Sequence, residues 1–103
     1  MPHYNLEDVR NAARNGCVEY RGRKVRRDID NLGYELADVV SCLLSLTSSD
    51  FDKTHTYENG DIDDAYCVDF TSSANSESDS IYIKFSLIND CLIVDIASFH
   101  LSG

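Results

Sequence analysis

No stretch of this 103-residue chain approaches the roughly 20 consecutive apolar residues that a membrane helix requires. No membrane partner is therefore expected. The opening residues, Met1-Pro2-His3-Tyr4-Asn5-Leu6-Glu7-Asp8, hold no basic start followed by an apolar run, so no secretory leader is expected and the expected location is the cytoplasm. Paired cysteines are missing as well. Cys17, Cys42, Cys67 and Cys91 stand about 25 residues apart, whereas structural zinc sites usually present two close pairs. A disulfide framework also suits a cytosolic chain of this size poorly. Free and mostly buried thiols, with no metal and no cofactor, are the expectation. There is no internal repeat, and at this length, with 43% apolar residues, a single domain spanning 1–103 with one modest core is expected.

Basic residues are scarce after position 27. Arg10, Arg14, Arg21, Arg23, Lys24, Arg26 and Arg27 account for seven of the nine, and only Glu19 opposes them within that stretch. Residues 28–103 set Lys53 and Lys84 against fifteen acids, and the formal net charge is −9. The sequence thus joins a basic N-terminal patch to an acidic body. Such asymmetry fits a polyanion partner at one end, and it fits two solvated helix faces equally well.

The hydrophobic period divides the chain. Leu6, Val9, Ala12 and Ala13 predict a helix over 5–15, opened by Asn5 with Asp8 three places on and stopped by Gly16. Cys17 to Tyr20 reads as a short strand. Val25, Ile29 and Leu32 predict a second helix over 23–32, closed by Gly33, and Leu36, Val39, Val40, Leu43 and Leu44 a third over 35–46. After position 50 the period falls to two. Strands are predicted over 51–57 and 65–70, with a turn at Glu58-Asn59-Gly60-Asp61 and a polar loop over 71–80. Residues 81–88 and 91–99, joined at Asn89-Asp90, form the clearest hairpin. Three helices followed by an antiparallel sheet define an α+β domain.

Alternation along strands sorts side chains onto two faces. Ile81, Ile83, Phe85 and Leu87 share the face expected against the helices, leaving Tyr82, Lys84 and Ser86 on the other. Lys53, His55 and Tyr57 share a face of the preceding strand. If the two strands are near neighbours, the open face carries Lys53, His55, Tyr57, Tyr82 and Lys84. That set suits phosphodiester cleavage without a metal. The 2′-hydroxyl of RNA can attack its own phosphate, given a proton acceptor, a proton donor and positive charge on the developing phosphorane. His carries protons near neutral pH, Lys offers a point charge, and Tyr donates a hydrogen bond or stacks on a base. Surface Lys, His and Tyr on a strand are also commonly no more than a solvated face. Asp61, Asp63 and Asp64 could in principle hold magnesium or calcium, but Asp61-Ile62-Asp63-Asp64 lacks a calcium-loop pattern, and acidic turns are usually solvated.

The segment Leu46-Thr47-Ser48-Ser49-Asp50-Phe51-Asp52-Lys53 with Thr56-Tyr57 resembles the core of the MqsR, or motility quorum-sensing regulator, toxins. Asp64-Ala65-Tyr66 is similar to the family's next motif. Ile81-Tyr82-Ile83-Lys84 and Ile88-x-Asp90-x-Leu92-Ile93-Val94 resemble its final hairpin, and Pro2-His3 with the first helix resembles its start. The resemblance implies a RelE-like fold and a ribosome-independent, metal-free mRNA interferase belonging to a toxin–antitoxin pair. It places the family's catalytic Lys and Tyr on Lys53 and Tyr82. Asp63 stands where the family has Gln, Cys67 where an Arg is common, and His55 where the best-known member has an apolar residue.

Two functional expectations result. In the first, the chain is the mRNA-cleaving toxin of a toxin–antitoxin heteromer. Lys53, His55, Tyr82 and Asp63 are its catalytic candidates, and Tyr57, Lys84, Arg23, Lys24, Arg26 and Arg27 its RNA-binding candidates. In the second, the scaffold has lost catalysis and acts as an acidic inhibitor that imitates nucleic acid, with Asp61–Asp64, Glu77 and Asp79 as its contact.

Overall fold

A computed structural model describes residues 1–73 and 76–102. Along the chain run α1 (Leu6–Arg14), β1 (Val18–Tyr20), α2 (Arg23–Asn31), α3 (Leu36–Ser45), a 3₁₀ turn (Ser48–Asp50), β2 (Phe51–Thr56), β3 (Ile62–Phe70), β4 (Asp79–Ile88) and β5 (Ile93–Leu101). The strands form one sheet in the order β1-β5-β4-β3-β2. The α+β class is as expected, but the sheet is mixed. β2 to β5 are antiparallel neighbours, whereas β1 pairs in parallel with β5 through Val18, Glu19 and Tyr20. β1, the first strand in the chain, thus lies at the sheet's edge beside the last strand. A three-residue strand carries too weak a pattern for that pairing to be read in advance.

The helices start and stop for local reasons. The Asn5 side chain accepts the Glu7 backbone N–H at 2.7 Å and caps α1. Gly33, at φ +76°, closes α2 in the left-handed conformation that costs glycine least. The Asp38 carboxylate accepts the Glu35 N–H at 2.9 Å at the head of α3. Each helix turns its apolar stripe to one side of the sheet: Val9, Ala12 and Ala13 from α1, Val25 and Ile29 from α2, Val39, Cys42 and Leu43 from α3. They bury Tyr66, Ile81, Ile83, Phe85, Val94, Ile96 and Phe99. The Tyr66 ring stacks on Phe85 with centroids 5.6 Å apart.

Two β-bulges set which residues face outward. The register of β2 against β3 steps from Phe51–Tyr66 to Lys53–Ala65, so Asp52 is an extra residue. Phe51 thereby lies against the core while Lys53 and His55 take the open face. Along β5 the partners step from Ile96–Phe85 to Ser98–Lys84, with Ala97 extra. That change of phase turns Phe99 inward and His100 outward.

Several expectations need correction. The acidic stretch is not a solvated turn: β3 begins at Ile62, and Asp63 and Asp64 are buried. Asp64 faces the core side, where it accepts the His3 N–H at 3.0 Å, the Tyr4 N–H at 2.8 Å and the Thr54 hydroxyl at 2.6 Å. It fastens the N-terminal segment to the sheet. The loop expected over 71–80 is shorter, because β4 begins at Asp79, which accepts the Tyr34 hydroxyl at 2.6 Å. Ala74 and Asn75 within it lie outside the described residues. All four thiols are free, yet only Cys42 is buried; Cys17 and Cys67 are half-buried and Cys91 is exposed.

Candidate functional site

With helices on one side, the other side of the sheet is uncovered, as antiparallel sheets allow. β2 and β4 are not adjacent; β3 runs between them. It contributes only Ala65 and Cys67 at the middle of the open face, where Ala65 pairs with both Lys53 and Lys84 and Cys67 pairs with Tyr82. They form a strip of small side chains between the larger ones of β2 and β4. Across it the Tyr82 hydroxyl approaches His55 Nε2 at 3.5 Å. Five of the residues singled out from the sequence, Lys53, His55, Tyr57, Tyr82 and Lys84, therefore share one surface.

Burial pushes the Tyr82 phenol above its ordinary pKa, against the downward pull of Lys84. Tyr82 is thus a hydrogen-bond donor at neutral pH. Its other flank is covered by His100, whose ring stacks on it at 5.2 Å. His100 escaped the sequence reading because unbroken alternation from Val94 would have buried it. The bulge at Ala97 carries no sequence signature.

Arg21 was also missed as a residue of this face. It follows β1 and reaches inward over three strands. Its Nε donates to Asp95 at 2.8 Å, its two terminal nitrogens donate to the Asp63 oxygens at 3.0 Å each, and one of them also reaches Ser86 Oγ at 3.0 Å. Asp63 takes a further bond from the Tyr57 hydroxyl at 2.9 Å. A polar belt therefore crosses the open face from β1 to the end of β2. Period-two spacing from Glu19 could have flagged Arg21 as facing the same way as Glu19.

The belt changes what Asp63 can do. Burial alone would raise its pKa, but the Arg21 guanidinium and Tyr57 hydroxyl outweigh burial and hold it below the usual carboxylate range. The Arg21 pKa is pushed upward, chiefly by the hydrogen bonds it donates to Asp63. A carboxylate this well satisfied is a poor proton acceptor. Asp63, a catalytic candidate in the sequence, is instead a fixed counter-ion that positions Arg21 and Tyr57. Its repulsion of a nearby phosphate is largely cancelled.

The basic helix lies elsewhere. Arg23, Lys24, Arg26 and Arg27 are exposed on α2, which packs against β1 and β5 at the opposite edge from Lys53. Lys24 is paired with Asp28 at 2.8 Å, and Arg26 sits over the Tyr20 ring at 5.2 Å. The structure does not gather these four with the Lys53–Tyr82 group. The acidic contact expected of an inhibitor is also dispersed: Asp63 and Asp64 point to opposite faces and are buried, leaving Asp61 exposed.

Three N-terminal helices on one side of a five-stranded, mostly antiparallel sheet, with the reverse side open and polar, are compatible with the RelE-like toxin fold. The family model described as motility quorum-sensing regulator, toxin of MqsA, matches residues 1–100, and the chain belongs to that family. It is accordingly a toxin of the toxin–antitoxin class, whose counterpart is an antitoxin. No curated protein matches the chain significantly. Among the described residues no helix is long and apolar enough to cross a membrane.

Proposed function

We propose that this toxin is a metal-independent endoribonuclease that cleaves single-stranded mRNA in the cytoplasm, as one toxin domain restrained by a cognate antitoxin. The observation carrying this reading is the placement of Lys53, His55, Tyr82 and Lys84 on one open face, on either side of the small residues Ala65 and Cys67, with the Tyr82 hydroxyl 3.5 Å from His55 Nε2.

The chemistry follows from what each side chain can hold. His55 accepts the proton of the 2′-hydroxyl as its oxygen bonds to the adjacent phosphorus. The Lys53 ammonium neutralises charge on the phosphorane, and Lys84, on the other side of Ala65, assists. The bond from phosphorus to the 5′-oxygen breaks, and Tyr82 donates the proton that the leaving oxygen needs. The proton taken up by His55 returns to Tyr82 across their contact. The products are a 2′,3′-cyclic phosphate and a 5′-hydroxyl. Arg23, Lys24, Arg26 and Arg27 act at a distance, holding flanking phosphates in a salt-dependent way.

Incubation of purified protein with single-stranded RNA in EDTA tests the reading. Cleavage leaving cyclic phosphate ends is expected, with Lys53→Ala and Tyr82→Phe each slower by about a hundredfold or more. Intact RNA, or cleavage unchanged in both variants, refutes it. In cells, induced expression should arrest growth and the same two variants should not.

A further inference from the structure

Beside the Lys53–Tyr82 group the open face sinks into a cavity of about 430 Å³, within the size range of small-ligand pockets. The Tyr57 side chain and Asp63 belong to its wall, so the cavity adjoins His55, the cross-strand partner of Asp63. From His55 to Tyr57 is two strand positions, roughly 7 Å. That is about one nucleotide's reach along an extended strand. We propose that this cavity is a base-recognition subsite, taking the nucleobase next to the scissile phosphate and favouring bases that carry an exocyclic amino group. The proposal rests on the RNA-cleaving reading above and names the part of the substrate that this second region would hold.

The chemistry of the lining decides between a base and a phosphate. Among the described residues, Arg21 is the only Lys or Arg in the wall. Of its five N–H groups, four hydrogen bonds are already made, to Asp63 twice, to Asp95 and to Ser86. A phosphate placed here would meet one remaining guanidinium proton and the carboxylates of Asp61 and Asp95, Arg21 being already neutralised by Asp63. It would be repelled. A neutral base would not be, and the walls offer it rings. Tyr57 is 40% exposed, with its hydroxyl anchored on Asp63. Tyr4 is held by its hydroxyl on the Ile62 carbonyl at 2.8 Å, and the His3 ring meets it edge-on at 4.7 Å. Anchored rings cost little entropy when a base stacks on them.

The acceptors left over set the preference. Asp95 uses Oδ2 for Arg21, and Asp61 uses Oδ2 for the Asn59 amide. Among the described residues, the Oδ1 atoms of both have no hydrogen-bond partner. As carboxylate oxygens they can only accept. The amino groups of adenine, cytosine and guanine can donate to them. Uracil offers one N–H flanked by two carbonyl oxygens, which carboxylates repel.

The test uses short RNA oligonucleotides in which a single 2′-deoxy sugar blocks attack and the neighbouring base is A, C, G or U. Fluorescence anisotropy reads affinity, and backbone amide NMR shifts read location. The expected result is about tenfold weaker binding of the U oligonucleotide than of the best of the others, with shifts at Tyr57, Ile62 and Ser86. Tyr57→Leu should level the four affinities. Asp61→Asn, an exposed change whose folding is checked by its thermal melt, should narrow the gap. Equal affinities in the wild type, a preference for U, or shifts confined to the Lys53–Tyr82 group overturn the subsite while leaving RNA cleavage standing. Absence of any RNA binding, together with uncut unblocked RNA, overturns both.

Discussion

Replacing Arg21 by alanine is the most demanding perturbation of this face. It deletes four hydrogen bonds and leaves the Asp63 carboxylate, 1% exposed, with only the Tyr57 hydroxyl as a side-chain partner among the described residues. Breaking a fully buried ion pair by removing one partner costs about 3–5 kcal/mol. Here the Arg21 side chain is 42% exposed, so water can enter and solvate part of what is left. A loss of about 2–3 kcal/mol at pH 7 is the expectation, which for a chain of this length lowers Tm by roughly 10–20 °C. The pH dependence has a definite sign. In the wild type, Asp63 is held below its ordinary pKa, so its stabilising contribution is present above the unfolded value and is lost as pH falls through the folded one. In Arg21→Ala the buried carboxylate lacks its cation and its pKa should rise instead. The penalty is then relieved by protonation, and the gap between the two proteins should narrow from pH 7 toward pH 4. Urea unfolding followed by circular dichroism at several pH values measures both effects. A second variant, Arg21→Met with Asp63→Leu, removes both charges and should recover most of the lost stability. A loss below about 0.5 kcal/mol, a gap that does not change with pH, or a double variant as unstable as the single one would refute the reasoning.

Two further outcomes follow from buried groups. The Tyr66 hydroxyl is buried with no hydrogen-bond partner among the described residues, so Tyr66→Phe removes an unmet donor and should leave stability unchanged or raise it by up to about 1 kcal/mol in the same urea titration. A loss above about 1 kcal/mol would mean that the hydroxyl is satisfied in solution. Burial pushes the Cys42 thiol up to about 12, so in the native protein at pH 8 an alkylating reagent should modify exposed Cys91 and spare Cys42 until denaturant is added, as read by peptide mass spectrometry.

The amino-acid sequence by itself determined the elements and the two anchors of the face. Helical spacing through Val9, Ala12 and Ala13, or through Val39 and Leu43, has one good burial solution, and period two at Ile81, Ile83 and Phe85 has one inward face. These are local constraints, which is why Lys53 and His55 could be assigned to one face of their strand and Tyr82 and Lys84 to one face of theirs without coordinates, while their sharing a surface depended on the strands being near neighbours. What only the tertiary structure decided is non-local. The parallel pairing of β1 with β5 brings Arg21 next to Asp95 and Asp63, 74 and 42 residues away in the chain. Two extra residues, Asp52 and Ala97, shift the phase of their strands and choose which side of Phe51 and Phe99 is buried. A run of three acids and one apolar residue, Asp61-Ile62-Asp63-Asp64, reads as a solvated turn when its partners are invisible. It becomes the start of β3 once Arg21 meets Asp63 on one face and the N-terminal amides meet Asp64 on the other. Burying a charge is favourable only with its partner in place, and these partners lie far away in the chain.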